Sequence, residues 1–161
     1  MAQVKHIKKP IKILMASGVN LDLLGRREPL IYGSETLKDM ERLVRTNLAA
    51  HQKSSKNMNY SLKFFQTNDE ALFLAEISKD YAGAVINAGA WTHTSLALAD
   101  RLAGVGLLFV EAHVSDLSKR ESFRKDSYLA AHASGVVQGH GIESYWLALK
   151  KLLAALESKS R

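Results

Sequence analysis

The chain of 161 residues contains no cysteine and only two prolines. Without cysteine it can form no disulfide, bind no metal or iron–sulfur cluster through thiolates, and use no cysteine nucleophile. No apolar run approaches the roughly 20 residues that a membrane-spanning helix needs. The first ten residues also lack the apolar segment of a secretory signal peptide. We therefore expect a cytoplasmic protein that has no membrane partner.

Part of the positive charge lies at the amino terminus. The formal net charge is +6, and Lys5, Lys8 and Lys9 lie within the first ten residues. The other cations are mixed with Asp and Glu along helical segments, which is typical of a solvated surface rather than of a nucleic-acid interface. A pocket that binds a small acidic molecule would explain the surplus of positive charge more specifically. We expect a basic tail over 1–10 and a single domain over 11–161.

Short apolar runs alternate along the chain with amphipathic stretches of helical period. The runs predict strands at 11–16, 62–65, 83–87, 107–110 and near 135–137. Alternation of this kind is typical of βαβ units on a parallel sheet. We therefore predict an α/β fold of the flavodoxin-like, doubly wound type, with a five-stranded parallel sheet flanked by helices.

Local residue types set the expected ends of the helices. The first major helix follows Thr36, because Asp39 comes three residues later, as in a capping box. We expect a loop over the polar stretch 51–59 and a short helix capped by Asn68. A further helix is expected over 92–102, ending at Gly104, and a last helix carries an apolar stripe from Tyr145 onward.

Polar side chains cluster at the ends of the predicted strands. In a doubly wound sheet ligands bind beyond the carboxyl ends of the strands, so these side chains should meet at one edge. The long loop after the first strand has the character of a lid. Glu111, His113 and Ser115 alternate along the chain and therefore face one side of the sheet. The full set is Asn20, Arg26, Arg27, Glu28, Tyr32, Asn87, Thr92, His93, Thr94, Ser95, Glu111, His113, Ser115, Arg120 and Arg124.

Each of these residues alone has a structural interpretation, such as a helix cap, a buried hydrogen-bonded pair or a solvated arginine. Their convergence on the ligand-binding edge favours a site for a small acidic molecule. Glu111, His113 and His93 have a spacing that would suit zinc, although the nearby arginines would oppose the charge of the metal. The sequence contains neither a GxGxxG fingerprint nor a Walker phosphate loop.

A series of short motifs runs in order through residues 11–156. The motifs are ILMASGVNLDLLG at 13–25, REP at 27–29, IYG at 31–33, FQTN at 65–68, INAGA at 86–90, THTS at 92–95, EAHVS at 111–115, RESFR at 120–124 and SY at 127–128. At this spacing the sequence resembles the type II 3-dehydroquinate dehydratases. The resemblance implies a flavodoxin-like fold and the conversion of 3-dehydroquinate to 3-dehydroshikimate through an enolate, without cofactor or metal. It also implies a homododecamer of four trimers that serves the shikimate pathway or quinate catabolism.

The same resemblance implies roles in proton transfer. Tyr32 would remove a proton from C2 of the substrate, and Arg27 on the same loop would keep the phenol ionised. His113 would protonate the departing C1 hydroxyl, with Glu111 orienting the site. Asn20 would face the enolate oxygen through water.

Substrate binding is implied for a further group of residues, namely Asn87, His93, Val114, Ser115 and Arg124. Within this group Arg124 would bind a substrate oxygen, and His93 would also help to orient the site. Asp100 matches a family residue that reaches the site of a neighbouring subunit.

The sequence departs from the family pattern at positions outside the proton-transfer residues: Ser17, Val19, Asp22, Ala99, Asp116 and Asp126. Val19 and Ala99 bear on loop geometry and subunit contacts, and Asp22 adds negative charge near the lid. The alternative to an active dehydratase is therefore a non-catalytic relative that retains the assembly or binds a cyclic carboxylic acid.

Overall fold

A five-stranded parallel sheet forms the centre of the molecule. The computed structural model describes residues 9–26, 28–54 and 58–159. The strands are β1 (Ile11–Ser17), β2 (Tyr60–Gln66), β3 (Gly83–Asn87), β4 (Phe109–His113) and β5 (Val136–Gln138). Their order is β2-β1-β3-β4-β5, and each neighbouring pair is parallel. The predicted doubly wound α/β fold is confirmed.

Helices flank the sheet on both faces. They are α1 (Pro29–Tyr32), α2 (Leu37–Ser54), α3 (Glu70–Ile77), α4 (Leu96–Val105) and α5 (Glu143–Lys159). Short 3-10 helices occur at Leu21–Leu23, Gly89–His93, Leu117–Lys119 and Ser122–Arg124. In the part of the chain that the structure describes, no helix combines the length and apolar character needed to cross a bilayer. The predicted basic tail falls almost wholly on residues 1–8, which lie outside that part.

Two apolar layers hold the helices against the sheet. Ile13 and Met15 of β1 pack in one core with side chains of α2 and α5. Leu14 and Ala16 point to the other side and pack with side chains of α3 and α4. Because β1 is covered on both faces, its sequence is a continuous apolar run rather than an alternating one.

The prediction of a loop from residue 51 is wrong, because α2 continues to Ser54. Polar residues in its last turn contact neighbouring elements and hold that turn in place. The His51 ring packs edge-on against Trp146 with 6.3 Å between ring centroids. Gln52 accepts a hydrogen bond of 2.6 Å from the backbone nitrogen of Tyr60.

The predicted cap of α3 is off by one residue. Asp69 is the cap, and its carboxylate accepts a hydrogen bond from the Leu72 nitrogen at 3.1 Å. The Asn68 side chain is engaged elsewhere, since its oxygen accepts from the backbone nitrogen of Asn20 at 2.7 Å.

The predicted helix over 92–102 is wrong at both ends. The chain forms a 3-10 helix over Gly89–His93, and α4 begins only after Ser95, whose hydroxyl accepts from the Leu98 nitrogen. The helix then passes through Gly104 and is closed by Gly106, which adopts the left-handed conformation at φ 64°.

The fourth strand lies two to three residues further along the chain than predicted. It spans Phe109–His113 and includes Glu111 and His113 as buried polar residues. The apolar run alone ends at Val110, so polar residues placed inside the sheet were not identified as strand. Their position inside β4 is what brings them to the site described next.

Candidate active site

A cavity lies at the carboxyl edge of the sheet, where the loops after β1, β3 and β4 meet. It has a volume of about 40 Å³ and is partly open to solvent. The predicted site residues that line it are Tyr32, Asn87, His93, His113, Val114, Ser115 and Arg124. Arg120 lines it as well. The structure therefore brings most of the residues with predicted catalytic or substrate-binding roles to one place.

Glu111 and His113 form a buried pair on β4. Two residues apart on a strand, they point to the same side, and Nε2 of His113 lies 2.8 Å from Oε1 of Glu111. Glu111 is fully buried and does not line the cavity, whereas His113 does. Because a carboxylate can only accept, Nε2 carries the hydrogen and donates it. The carboxylate thereby fixes the orientation of the imidazole.

Two hydroxyl groups complete the surroundings of the Glu111 carboxylate. Thr92 donates to Oε1, and Oγ of Ser127 lies 2.8 Å from Oε1 and 2.9 Å from Oε2. Burial by itself would raise the pKa of Glu111, but His113 and the two hydroxyls outweigh it and lower the pKa below its ordinary value. Glu111 is therefore an anion at neutral pH.

Tyr32 lies at the end of α1 and contacts an arginine across the cavity. Its hydroxyl accepts a hydrogen bond of 2.8 Å from Nη1 of Arg120, whose side chain is 9% exposed. The bond to Tyr32 raises the pKa of Arg120 against the effect of burial, so the guanidinium keeps its charge. The predicted partner of Tyr32, Arg27, lies outside the described residues.

One carboxylate serves two arginines beside the cavity. Oε2 of Glu121 lies 3.1 Å from Nε of Arg120 and 3.7 Å from Nε of Arg124. Nε of Arg124 is buried and makes no hydrogen bond to the residues that the structure describes. Two guanidinium groups against one carboxylate leave a positive surplus at the wall of the cavity, which favours an anionic ligand.

His93 is oriented by the backbone of a neighbouring loop. Its Nδ1 lies 2.7 Å from the carbonyl oxygen of Asp126. A carbonyl oxygen only accepts, so Nδ1 carries the hydrogen. Nε2 is the nitrogen left to contact a ligand in the cavity.

Asn87 ends β3, and its amide is held from both sides. Nδ2 donates to the Tyr145 hydroxyl at 3.0 Å, and Oδ1 accepts from the Gly89 nitrogen at 3.2 Å. Tyr145 is fully buried, and burial raises its pKa to about 12 despite its hydrogen bonds with Asn87 and with Ser17. This phenol therefore keeps its proton and acts as a support for Asn87.

Asn20 and Asp100 do not line the cavity. Asn20 follows β1 in the left-handed conformation, at φ 64°, and its backbone nitrogen donates to Asn68. Asp100 lies exposed on α4.

The zinc alternative is not supported. Among the residues described, no group of three or more His, Cys, Asp or Glu side chains is arranged to hold a metal ion. Glu111 and His113 bind each other, and His93 is turned to the Asp126 carbonyl.

Several contacts of the site were not predicted. The sequence places Arg120 near the edge as a cation, Thr92 at a helix amino terminus after the third strand and Ser127 in a short motif, but it predicts no partner for any of them. Tyr145 lies in the apolar stripe of α5, where the sequence predicts packing alone. The position of Thr92 just after a predicted strand end is a local signal for the site, whereas its bond to Glu111 is not predicted.

Comparisons with known proteins identify the family of the chain. The family model described as "Dehydroquinase class II" matches residues 11–153. The 3-dehydroquinate dehydratase of Alkalilimnicola ehrlichii is 44% identical over 154 residues, which cover 93% of this chain and 97% of the relative. That of Prochlorococcus marinus strain SARG is 46% identical over 153 residues, covering 92% of this chain and 97% of the relative.

Solved structures of type II dehydroquinases share the fold. The crystal structure from Propionibacterium acnes has a TM-score of 0.78 and 34% identity, and covers 89% of this chain and 97% of its own. The structure from Butyrivibrio crossotus has a TM-score of 0.76 at the same identity, and covers 89% of this chain and 98% of its own. With the family match extending over most of its length, the chain belongs to the type II dehydroquinases.

Proposed function

We propose that this chain catalyses the dehydration of 3-dehydroquinate to 3-dehydroshikimate, without cofactor or metal. Relatives that match nearly the whole length of the chain are named for this activity. These names do not favour the non-catalytic alternative. The observation that carries the proposal is that a phenol held by a guanidinium and an imidazole held by a buried carboxylate line the same cavity. The reaction needs one group to take a proton and a second group to give one.

Tyr32 takes the proton from C2, beside the C3 ketone. Free tyrosine keeps its proton at neutral pH, so a phenol acts as a base only where its anion is stabilised. Arg120 supplies that stabilisation, since its largely buried guanidinium donates to the hydroxyl at 2.8 Å. From the family resemblance, Arg27 is the second cation proposed for this role.

His113 gives a proton to the leaving group. Removal of the C2 proton places an electron pair on the C3 oxygen as an enolate. The pair then returns to form the C1–C2 double bond as the C1–O bond breaks, and the hydroxyl leaves as water with the proton from His113. Glu111 stabilises the imidazolium that gives this proton. Solvent then restores the proton of His113 and removes that of Tyr32.

The remaining residues of the cavity hold the substrate. Arg124 binds a substrate oxygen, because its side of the wall carries surplus positive charge. Asn87, His93 and the 114–115 segment supply further polar contacts. Two roles rest on the family resemblance alone, namely Asn20 facing the enolate oxygen through water and Asp100 reaching a neighbouring subunit.

Substrate entry is proposed to involve movement of one wall of the cavity. The segment that bears Tyr32 is the wall best suited to move, because α1 has only four residues and Leu30 within it is fully exposed. We propose that this segment is a lid that closes over bound substrate.

The family resemblance also supports a cytoplasmic homododecamer of four trimers. In this proposal residues 11–161 form the single catalytic domain after a basic tail over 1–10, and the product enters the shikimate pathway or quinate catabolism. Light scattering tests the assembly directly, since twelve copies would have twelve times the chain mass of 17.8 kDa. A mass of one or three copies would contradict the dodecamer.

The activity is tested by following the conjugated enone product in the ultraviolet with purified protein and 3-dehydroquinate. We expect turnover without added metal, and turnover that survives a chelator. Tyr32→Phe and His113→Ala should each lower kcat by at least about 10³-fold. Tyr60→Phe is the matched control, because that tyrosine lies at the opposite end of the sheet and bonds Glu157. A wild-type protein that binds but does not convert the substrate would overturn the proposal.

A further inference from the structure

The hydroxyl of Ser127 has an unusually complete set of partners for a loop residue. Its oxygen accepts hydrogen bonds of 3.1 Å from the backbone nitrogens of Leu129 and Ala130. Its own hydrogen is therefore directed away from these amides and toward Glu111, at 2.8 Å and 2.9 Å from the two carboxylate oxygens. The backbone of the loop thus aims the hydroxyl proton at a fully buried anion.

The loop that carries Ser127 is bound to the 3-10 helix Gly89–His93 on both sides of that residue. The carbonyl of Asp126 accepts from Nδ1 of His93 at 2.7 Å, and the nitrogen of Tyr128 donates to the carbonyl of Thr92 at 2.9 Å. The hydroxyls of Thr92 and Ser127 are 3.1 Å apart and both reach Glu111. Residues 126–128 therefore contact the His93 ring directly and, through Ser127, contact the carboxylate that holds the His113 ring. Both rings line the cavity.

We propose that Ser127 is a positioning residue, which together with Thr92 clamps the Glu111 carboxylate behind His113 while its loop fixes the ring of His93. Ser127 does not line the cavity itself, so it acts through Glu111 and not on the substrate. The expected effect of Ser127 on turnover rests on the proposed function. The hydrogen bonds of the clamp are present in the protein without substrate.

Among the residues that the structure describes, three groups face the Glu111 carboxylate from the elements packed around it. They are the imidazole of His113 on β4, the hydroxyl of Thr92 on the 3-10 helix and the hydroxyl of Ser127 on the loop. His113 is the titratable one among them. Among the described residues, Ser127 is the one hydrogen-bond donor to Oε2. Its loss leaves that buried oxygen unsatisfied, which favours the protonated carboxyl and weakens the hold on His113.

Ser127→Ala should therefore slow the chemical step. We expect kcat to fall by about tenfold, a fraction of what a positioned proton donor contributes. KM should change by less than about twofold, because the cavity lining is unaltered. A raised KM with unchanged kcat would overturn the proposal.

Conservative variants separate positioning from packing. Ser127→Thr and Thr92→Ser keep a hydroxyl and should retain most of the turnover, whereas Thr92→Val should behave like Ser127→Ala. Thr94→Val is the matched control, because its hydroxyl belongs to the same polar run but is exposed and bonds the carbonyl of Ala90. Equal losses in Ser127→Ala and Ser127→Thr would assign the effect to packing and reject the clamp.

A measurement on the free protein makes the inference independent of turnover. The carboxyl carbon of Glu111, labelled with ¹³C and assigned by Glu111→Gln, is titrated by NMR in the wild type and in Ser127→Ala. The titration midpoint of the Glu111 carboxyl should rise in Ser127→Ala even if the wild type fails to convert 3-dehydroquinate. A failure of the clamp can therefore be distinguished from a failure of the proposed activity. Equal midpoints in the two proteins would contradict the clamp whatever the activity.

Discussion

Two buried carboxylates in this fold differ in what balances their charge. Glu111 on β4 is fully buried and accepts from an imidazole and two hydroxyls. Glu76 near the end of α3 is 4% exposed and accepts from Lys63 at 2.7 Å, from Lys79 at 2.6 Å and from the Tyr81 hydroxyl. The partners of Glu76 include permanent cations, whereas the charge beside Glu111 depends on an imidazole.

This difference separates a structural anion from a reactive one. Lys63 and Lys79 can only donate, and their side chains are 49% and 57% exposed, so they hold Glu76 with charges that stay solvated. The Thr92 hydroxyl and the imidazole beside Glu111 can each donate or accept, so they can adapt when a proton moves. Loss of charge at Glu111 should therefore affect turnover, and loss of charge at Glu76 should affect folding.

The same substitution at both sites gives the largest contrast. Glu111→Gln should lower kcat by about 10²–10⁴-fold, because an amide in place of a carboxylate disturbs the tautomer and charge of the imidazole it orients. Its urea midpoint should change little, since the Thr92 hydroxyl can turn to accept from the new amide. Glu76→Gln should leave kcat within about twofold of the wild type. Similar kinetic losses in both variants would break the comparison.

Lowering the pH should reveal how much Glu76 contributes to the unfolding free energy. Burial would raise the pKa of Glu76, but Lys63, Lys79 and Tyr81 outweigh it and lower the pKa to about 2 from the ordinary 4.5. A carboxylate with a lowered pKa stabilises the fold above its unfolded pKa and loses that contribution as the pH falls toward the folded value. The unfolding free energy should therefore lose about 3 kcal/mol between about pH 5 and pH 2 through this residue.

Urea unfolding at a series of pH values checks this expectation. The difference between wild type and Glu76→Gln should shrink across that interval, because the variant has no proton to gain at this position. Other carboxylates with a lowered pKa, such as Glu111, titrate in both proteins and cancel in the difference. If the difference in unfolding free energy stays constant down to pH 2.5, the pKa of Glu76 does not differ between the folded and the unfolded chain.

The residues of both clusters show how far the sequence predicts the structure. Strand β3 was placed to the residue and β1 to within one residue, because both are apolar on both faces. Strand β4 was misplaced because Glu111 and His113 lie inside the sheet, where a buried polar pair interrupts the apolar run. The misplacement thus occurred at a site residue, where local pattern and tertiary contacts disagree.

The site itself was predicted as a set of residues but not as a set of contacts. Motif positions identified Tyr32, Asn87 and His113, and the fold rule put them at one edge. The bond of Arg120 to Tyr32 joins residues 88 positions apart, and that of Tyr145 to Asn87 joins residues 58 apart. Neither separation has a period or a spacing that a linear pattern can detect, so these contacts require the folded chain.

At neutral pH the structural role of Glu76 should appear as a moderate loss of stability. In Glu76→Gln the amide nitrogen would face ammonium groups that cannot accept, which leaves a buried donor unsatisfied. We expect a loss of about 2 kcal/mol in the unfolding free energy. Tyr81, whose pKa burial and Glu76 together raise to about 12, would still donate to the amide oxygen and limit the loss. A variant as stable as the wild type would contradict the structural role.

The smallest effects are expected for the single lysines. Lys63→Met and Lys79→Met should each cost about 0.5–1 kcal/mol, because each ammonium is about half exposed and the other lysine still balances Glu76. Methionine keeps the length of the Lys63 stem, which lies near the Phe65 ring with 6.0 Å between Nζ and the centroid. The double variant should lose more than the sum of the two, because removal of the second cation leaves a buried anion with the Tyr81 hydroxyl alone. A strictly additive double variant, measured by urea unfolding, would mean that the lysines stabilise the surface independently and that Glu76 does not need either of them.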